Sequence, residues 1–201
     1  MKKIKILSLL FCVVMLVAAC HDDEEGPIIP QPREQVGRTV LVYIVGDNGV
    51  NELSDLFKTN FEDMKEGMKE VDYSKCNLVV YSEMVNDVPR LVSLKKQNGK
   101  VVADTLFTYS EQNPLAKEVM SSVISQTVSY FPADSYGFVF LSHSSSWVPA
   151  TNDANSRSIG YYRRTQMNIP DFHDVLLSSF PRPLKFILFD SCSVSYTHLT
   201  L

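Results

Sequence analysis

Thr39-Val40-Leu41-Val42-Tyr43-Ile44-Val45, closed by Gly46-Asp47-Asn48-Gly49, is an unbroken β-branched and aromatic run ending in a turn. A strand with one wet face alternates apolar and polar residues, whereas one buried on both faces is apolar throughout, so this run reads as a central buried strand. Directly after it, Leu53, Leu56, Phe57, Phe61, Met64 and Met68 fall at helical spacing, with charges on the other face. Cys76 to Tyr81 gives a second apolar strand. Arg90–Leu94 and Lys100–Phe107, joined around Asn98-Gly99, read as a β-hairpin with a tight turn. A helix follows from about Pro114 to Tyr130, with a weaker stripe of Leu115, Val119, Ser122, Val123 and Val128.

Two more apolar strands complete the series. Tyr136–Leu141 runs into Ser142-His143, and Leu184–Phe189 runs into Asp190-Ser191-Cys192. Between them lie a polar loop, Thr151 to Arg157, and a short helix near Ile169 to Ser179, expected to be capped around Asp171. Strands alternating with helices imply an α/β sheet whose central strands are mainly parallel and joined by right-handed crossovers. In such sheets reactive groups gather where loops leave the carboxyl ends of the strands, and His143 and Cys192 both stand at such ends.

The 201 residues, 45% hydrophobic and 21% charged, have the composition of a globular domain. A net charge of -4, with no concentration of Lys or Arg, excludes a nucleic-acid partner. The chain has no Gly-x-Ser-x-Gly elbow for a serine hydrolase and no glycine-rich phosphate loop, since Gly46-Asp47-Asn48-Gly49 lacks both the lysine and the spacing.

The first residues form a targeting signal: Lys2, Lys3 and Lys5 precede an apolar run from Ile6 to Val17, which is short for a membrane span. The run ends Leu16-Val17-Ala18-Ala19-Cys20, which resembles a bacterial lipobox, and this implies cleavage after residue 19 and lipid on Cys20. His21-Asp22-Asp23-Glu24-Glu25 resembles the acidic export tag that some Bacteroidetes lipoproteins carry toward the cell surface. Residues 20–38 then read as a tether, with Gly26, Pro27, Pro30, Pro32 and Gly37 and no apolar period. The expected partner at this end is a membrane, reached through the lipid, in the bacterial envelope at the outer membrane. With Cys12 in the signal and Cys20 lipidated, Cys76 and Cys192 remain as free thiols, and their spacing to the histidines has no metal-site pattern.

A cysteine peptidase needs a thiol at a rigid position beside backbone N–H groups, and an imidazole from another element to reach the leaving amine. Cys192 and His143 supply one of each. The local sequence adds a resemblance: Tyr136–His143 followed by Ser144-Ser145-Ser146-Trp147 resembles the histidine block of the clostripain family, and Phe186–Cys192 resembles its cysteine block. Val40–Asn48 resembles the family's opening strand and its Asp-Asn turn. The resemblance covers about residues 39–193 and implies a caspase-like three-layer α/β sandwich, cut short at its C-terminal end. It also implies peptide-bond hydrolysis by a Cys/His dyad, without a cofactor, although calcium is needed by some relatives.

Carried onto this sequence, the resemblance gives Cys192 as nucleophile, His143 as the acid for the leaving amine, and the N–H groups of Cys192 and Ser144 as the oxyanion hole. Asp190 matches an acid that lines S1 and favours Arg or Lys at P1; equally, it reads as a strand-end Asp that satisfies turn amides. Two positions depart from the pattern. Ser144 replaces a glycine, keeping the N–H but adding a Cβ, and Ser191 replaces an alanine. The Ser144 departure leaves open a second reading, a caspase-like lipid-anchored binding protein without turnover. Asp47 either faces the strand-end cleft or orders its own turn, Cys76 reads as a small core residue, His173 as a helix-face histidine and Trp147 as a packing anchor. Residues 194–201 back-translate to a string resembling a sequencing adapter, so this tail is expected to be artefactual and the fragment to be inactive by itself.

Overall fold

The computed structural model describes residues 30–49, 51–144 and 158–191, and those from Gln31 onward form one unit. The signal, Cys20, Trp147, the loop 151–157, Cys192 and the tail 194–201 lie outside the described residues. Among the described residues, no helix is long and apolar enough to cross a membrane.

The opening strand, β1, runs Val36–Val45. It starts ahead of Thr39 because the chain before it is already tied down: Arg33 N–H donates to Tyr130 O at 2.9 Å and Val36 N–H to Pro132 O at 3.2 Å. The guanidinium of Arg33 also lies 4.9 Å from the centre of the Phe131 ring. Helix α1 (Asn51–Gly67) follows, then β2 (Cys76–Glu83), β3 (Arg90–Gln97) and β4 (Lys100–Thr108). Next come α2 (Lys117–Tyr130) and β5 (Ala133–Ser142). A two-stranded ribbon of β6 (Ser158–Tyr162) and β7 (Thr165–Asn168) precedes α3 (Ile169–Ser179) and β8 (Phe186–Asp190).

The main sheet has the order β4-β3-β2-β1-β5-β8. Strands β2, β1, β5 and β8 run parallel, and β3 and β4 add an antiparallel edge. The expected Asn98-Gly99 turn joins β3 to β4 with φ of 50° and 77°, the pair of left-handed residues that matches strand twist in a two-residue hairpin.

Period-2 alternation splits β1 between two cores. Leu41, Tyr43 and Val45 pack with Met120, Val123 and Ile124 of α2 and Phe172, Val175 and Leu176 of α3. Val42 and Ile44 pack on the other face with Phe57, and with Leu53, Phe61 and Met64 around it, all from α1. Three layers result. Burial on both faces explains why β1 carries no polar residue from Val40 to Val45, where each large apolar side chain contributes about 1.5–3 kcal/mol.

Two helix starts differ from the sequence expectation. Helix α2 begins at Lys117, because Asn113 holds the residues ahead of it in a turn: its Oδ1 accepts from Leu115 N–H and its O from Ala116 N–H, each at 3.0 Å. The buried stripe of α2 is Met120, Val123, Ile124 and Thr127, with Ser122 exposed. Helix α3 is preceded by Asn168 in an extended conformation, and Asp171 lies in its first turn, bonded to Lys117 at 2.9 Å. The acid therefore links α3 to α2 and does not cap its own helix.

Candidate active site

In this strand order the chain leaves β1 toward β2 on one side and β5 toward β8 on the other, so the carboxyl ends of β1 and β5 mark the switch point at which open α/β sheets place their binding crevice. The β1 side is built tightly. Gly46 N–H donates to Glu83 O at 2.7 Å, and Ser54 Oγ donates to Gly46 O at 3.1 Å while accepting from Val85 N–H at 3.0 Å. One buried serine of α1 thus fastens the ends of β1 and β2 together.

On the β5 side the chain leaves the sheet at Ser142 and reaches the half-buried His143. Ser142 Oγ accepts the backbone N–H of Tyr161 at 3.1 Å, and the ring of Tyr161 stands perpendicular to the imidazole at 6.0 Å between centroids. Ser144, the next residue, is buried. Among the described non-glycine residues, positive φ is confined to Asn86, Asn98 and Arg163, so Ser144 has a backbone angle that tolerates its Cβ.

Strand β8 lies beside β5 in parallel, with Leu141 opposite Asp190. Leu141 is two positions before His143, and Asp190 is two before Cys192. Cys192 itself lies outside the described residues. The Asp190 carboxylate is exposed at the strand end and has no hydrogen bond or ion pair to a described residue.

Asp47 does not face the crevice as a free group. Its Oδ1 accepts from Gly49 N–H at 3.1 Å and its Oδ2 from Arg163 Nε at 2.8 Å, while its backbone O accepts from Arg163 N–H at 2.9 Å. Arg163 also reaches Glu111, and these bonds to Asp47 and Glu111 raise its pKa. Beside them Glu83 is 2% exposed, with Oε2 buried and unpartnered among the described residues. Burial, and then the charge of Asp47, push its carboxyl up to about 7. Sequence reading passed over this group, along with Tyr161. The only signal was Ser158–Tyr162 itself, five residues interrupted by Gly160 and followed by two arginines, too short for a strand pattern to stand out.

Cys76 is at the far end of the sheet, paired with Arg38 near the start of β1. Burial raises its thiol pKa, which leaves it a poor nucleophile. His173 is an exposed helix-face residue bonded to Asp174 at 3.2 Å. Among the described residues no group of three His, Cys, Asp or Glu is placed to hold a metal, and Arg163 takes the cation position between Asp47 and Glu111.

The sequence profile described as the clostripain family matches residues 42–199, most of the chain. The chain belongs to the clostripain family. Among solved structures, a secreted C11 cysteine protease from Bacteroides thetaiotaomicron, in complex with an irreversible peptide inhibitor, is 39% identical with a TM-score of 0.67. That match covers 78% of this chain and 42% of that one. A B. fragilis cysteine protease is 42% identical with a TM-score of 0.53, over 60% of this chain and 98% of the other. An inactive zymogen C11 protease from Parabacteroides distasonis is 31% identical with a TM-score of 0.65, over 80% and 43%. The chain thus spans less than half the length of the first and third of these clostripain-like proteases. A comparison with curated proteins gives no match. The mainly parallel three-layer fold expected from the sequence is the one these relatives share.

Proposed function

We propose that this chain carries the dyad of a clostripain-type cysteine endopeptidase, His143 and Cys192, held at the cell envelope by lipid on Cys20. The register that sets Leu141 opposite Asp190 carries the reading, because it brings the two segments leading to His143 and Cys192 out of the sheet side by side. The Cys192 thiolate attacks the scissile carbonyl carbon, and the backbone N–H groups of Cys192 and Ser144 hold the resulting oxyanion. His143 gives its proton to the leaving nitrogen as the C–N bond breaks, and water then hydrolyses the thioester. Asp190, exposed and unpartnered among the described residues, supports a preference for Arg or Lys at P1 through a charge-assisted bond. A peptide inhibitor bound to the B. thetaiotaomicron relative supports a peptide as substrate.

The test uses the full-length gene product and a thiol-reactive peptide probe with Arg at P1. Labelling is expected at Cys192, lost in His143→Ala, with cleavage abolished in both Cys192→Ala and His143→Ala. Cleavage retained by Cys192→Ala would overturn the mechanism. No labelling of a folded protein would instead favour a binding protein without turnover.

A further inference from the structure

An imidazole that must deliver a proton along one direction needs its ring plane fixed, and His143 sits on a chain that has just left the sheet, where β pairing no longer constrains it. The constraint comes from the β6–β7 ribbon. Tyr161 of β6 and His143 form a T-shaped pair, with the ring planes at 89° and the centroids 6.0 Å apart, an arrangement that aromatic quadrupoles favour. Tyr161 is itself placed from two sides. Its N–H donates to the hydroxyl of Ser142, the residue before His143. Two residues on, Arg163 fastens the ribbon's turn to Asp47 by backbone and side chain, and to Glu111. At Gly160, the residue before Tyr161, φ is +73° and an added Cβ would lie 2.9 Å from Phe140 Cζ, so β6 is pressed onto β5 as closely as a glycine permits.

We propose that Tyr161 is a positioning residue whose ring fixes the orientation of the His143 imidazole. Its use in peptide cleavage rests on the dyad reading above, whereas the orientation itself does not. The experiment compares Tyr161→Ala, Tyr161→Leu and Tyr161→Phe in the full-length protein, with Leu as a bulk-conserving second probe should the Ala protein not fold. Two readouts are taken: the carbon-bound proton resonances of selectively labelled His143, and kcat and KM on an Arg peptide. The expected result is that Leu and Ala move the His143 resonances and lower kcat on the order of 10–100-fold with little change in KM, while Phe restores both. His143 resonances unchanged in Tyr161→Leu, or a Phe variant as impaired as Leu, would overturn the proposal. Shifted resonances in a protein that never cleaves peptide would leave the positioning intact and remove the peptidase reading.

Discussion

Arg163 and Asp47, 116 residues apart, are joined by a side-chain bond of 2.8 Å and a backbone bond of 2.9 Å, so the turn of a small ribbon is locked to the end of the central strand. Arg163 is half exposed, but Asp47 is not. Removing the carboxylate leaves the N–H of Gly49 and the Nε of Arg163 without the acceptor they share, while the guanidinium keeps its bond to Glu111. Asp47→Ala is therefore expected to cost about 1–3 kcal/mol of stability in urea unfolding. The loss should be smaller when Arg163→Ala is already present. Strict additivity of the two substitutions would mean that the contact contributes nothing.

Glu83 gives a pH signature. Its folded pKa of about 7 lies above the ordinary carboxyl value of 4.5, so the folded state holds the proton more tightly than the unfolded chain. Its contribution is full below about pH 4.5, declines as pH rises through 7, and stays lost above. With Asp47, Glu111 and Asp87 as acidic neighbours and Arg163 as the opposing cation, the ionised form is the costly one. Glu83→Gln is expected to match the wild type near pH 4 and exceed it by about 1–3 kcal/mol at pH 8. A stability difference that does not vary with pH would rule this out.

Gly160→Ala should be strongly destabilising. A left-handed φ disfavours any Cβ, and this one would also lie 2.7 Å from Leu115 Cδ2 and 2.9 Å from Phe140 Cζ. Together these effects come to about 2 kcal/mol or more, read as a lowered Tm. An unchanged Tm would show that β6 does not press on the core as described.

The sequence was most readable where burial was heaviest. The strands β1, β2, β5 and β8 and the β3–β4 hairpin are all apolar runs or turn signals, and each was visible before its partners were known. The β6–β7 ribbon was not, because its shape comes from Gly160, a left-handed Arg163 and bonds to distant residues, none of which produces a periodic pattern. The same limit applies to Asp47, whose choice between turn and cleft is set by the distant Arg163. His143 and Ser144 follow the end of β5 and Asp190 closes β8, while Cys192 and Cys20 lie outside the described residues.

Asp190→Asn separates the two roles open to that acid. If Asp190 lines S1, kcat/KM on Arg and Lys substrates is expected to fall about 10–100-fold, while alkylation of Cys192 by a small uncharged reagent is nearly unchanged. Equal loss on both would return Asp190 to a purely structural part.

Cys20→Ser tests the anchor. The wild-type chain is expected in the membrane fraction with a lipid-modified residue 20 at its mature N-terminus, and the variant as uncleaved precursor or released protein. Mass spectrometry showing an unmodified N-terminus elsewhere would exclude lipidation at this site.

The position of β1 also governs the order of assembly. The first strand of the sheet is completed late, since one of its neighbours, β5, begins nearly a hundred residues further along the chain. His143 follows a strand embedded in that centre, whereas β8, the strand ahead of Cys192, joins β5 by five residue pairs and is the outermost strand among the described residues. The two strands that carry the proposed dyad are thus paired to unequal extents among the described residues. Loosening β8, for example at Ile187, should uncouple the proposed nucleophile from His143 while the rest of the domain stays folded, so the labelling of Cys192 expected above would be lost on heating before global unfolding begins.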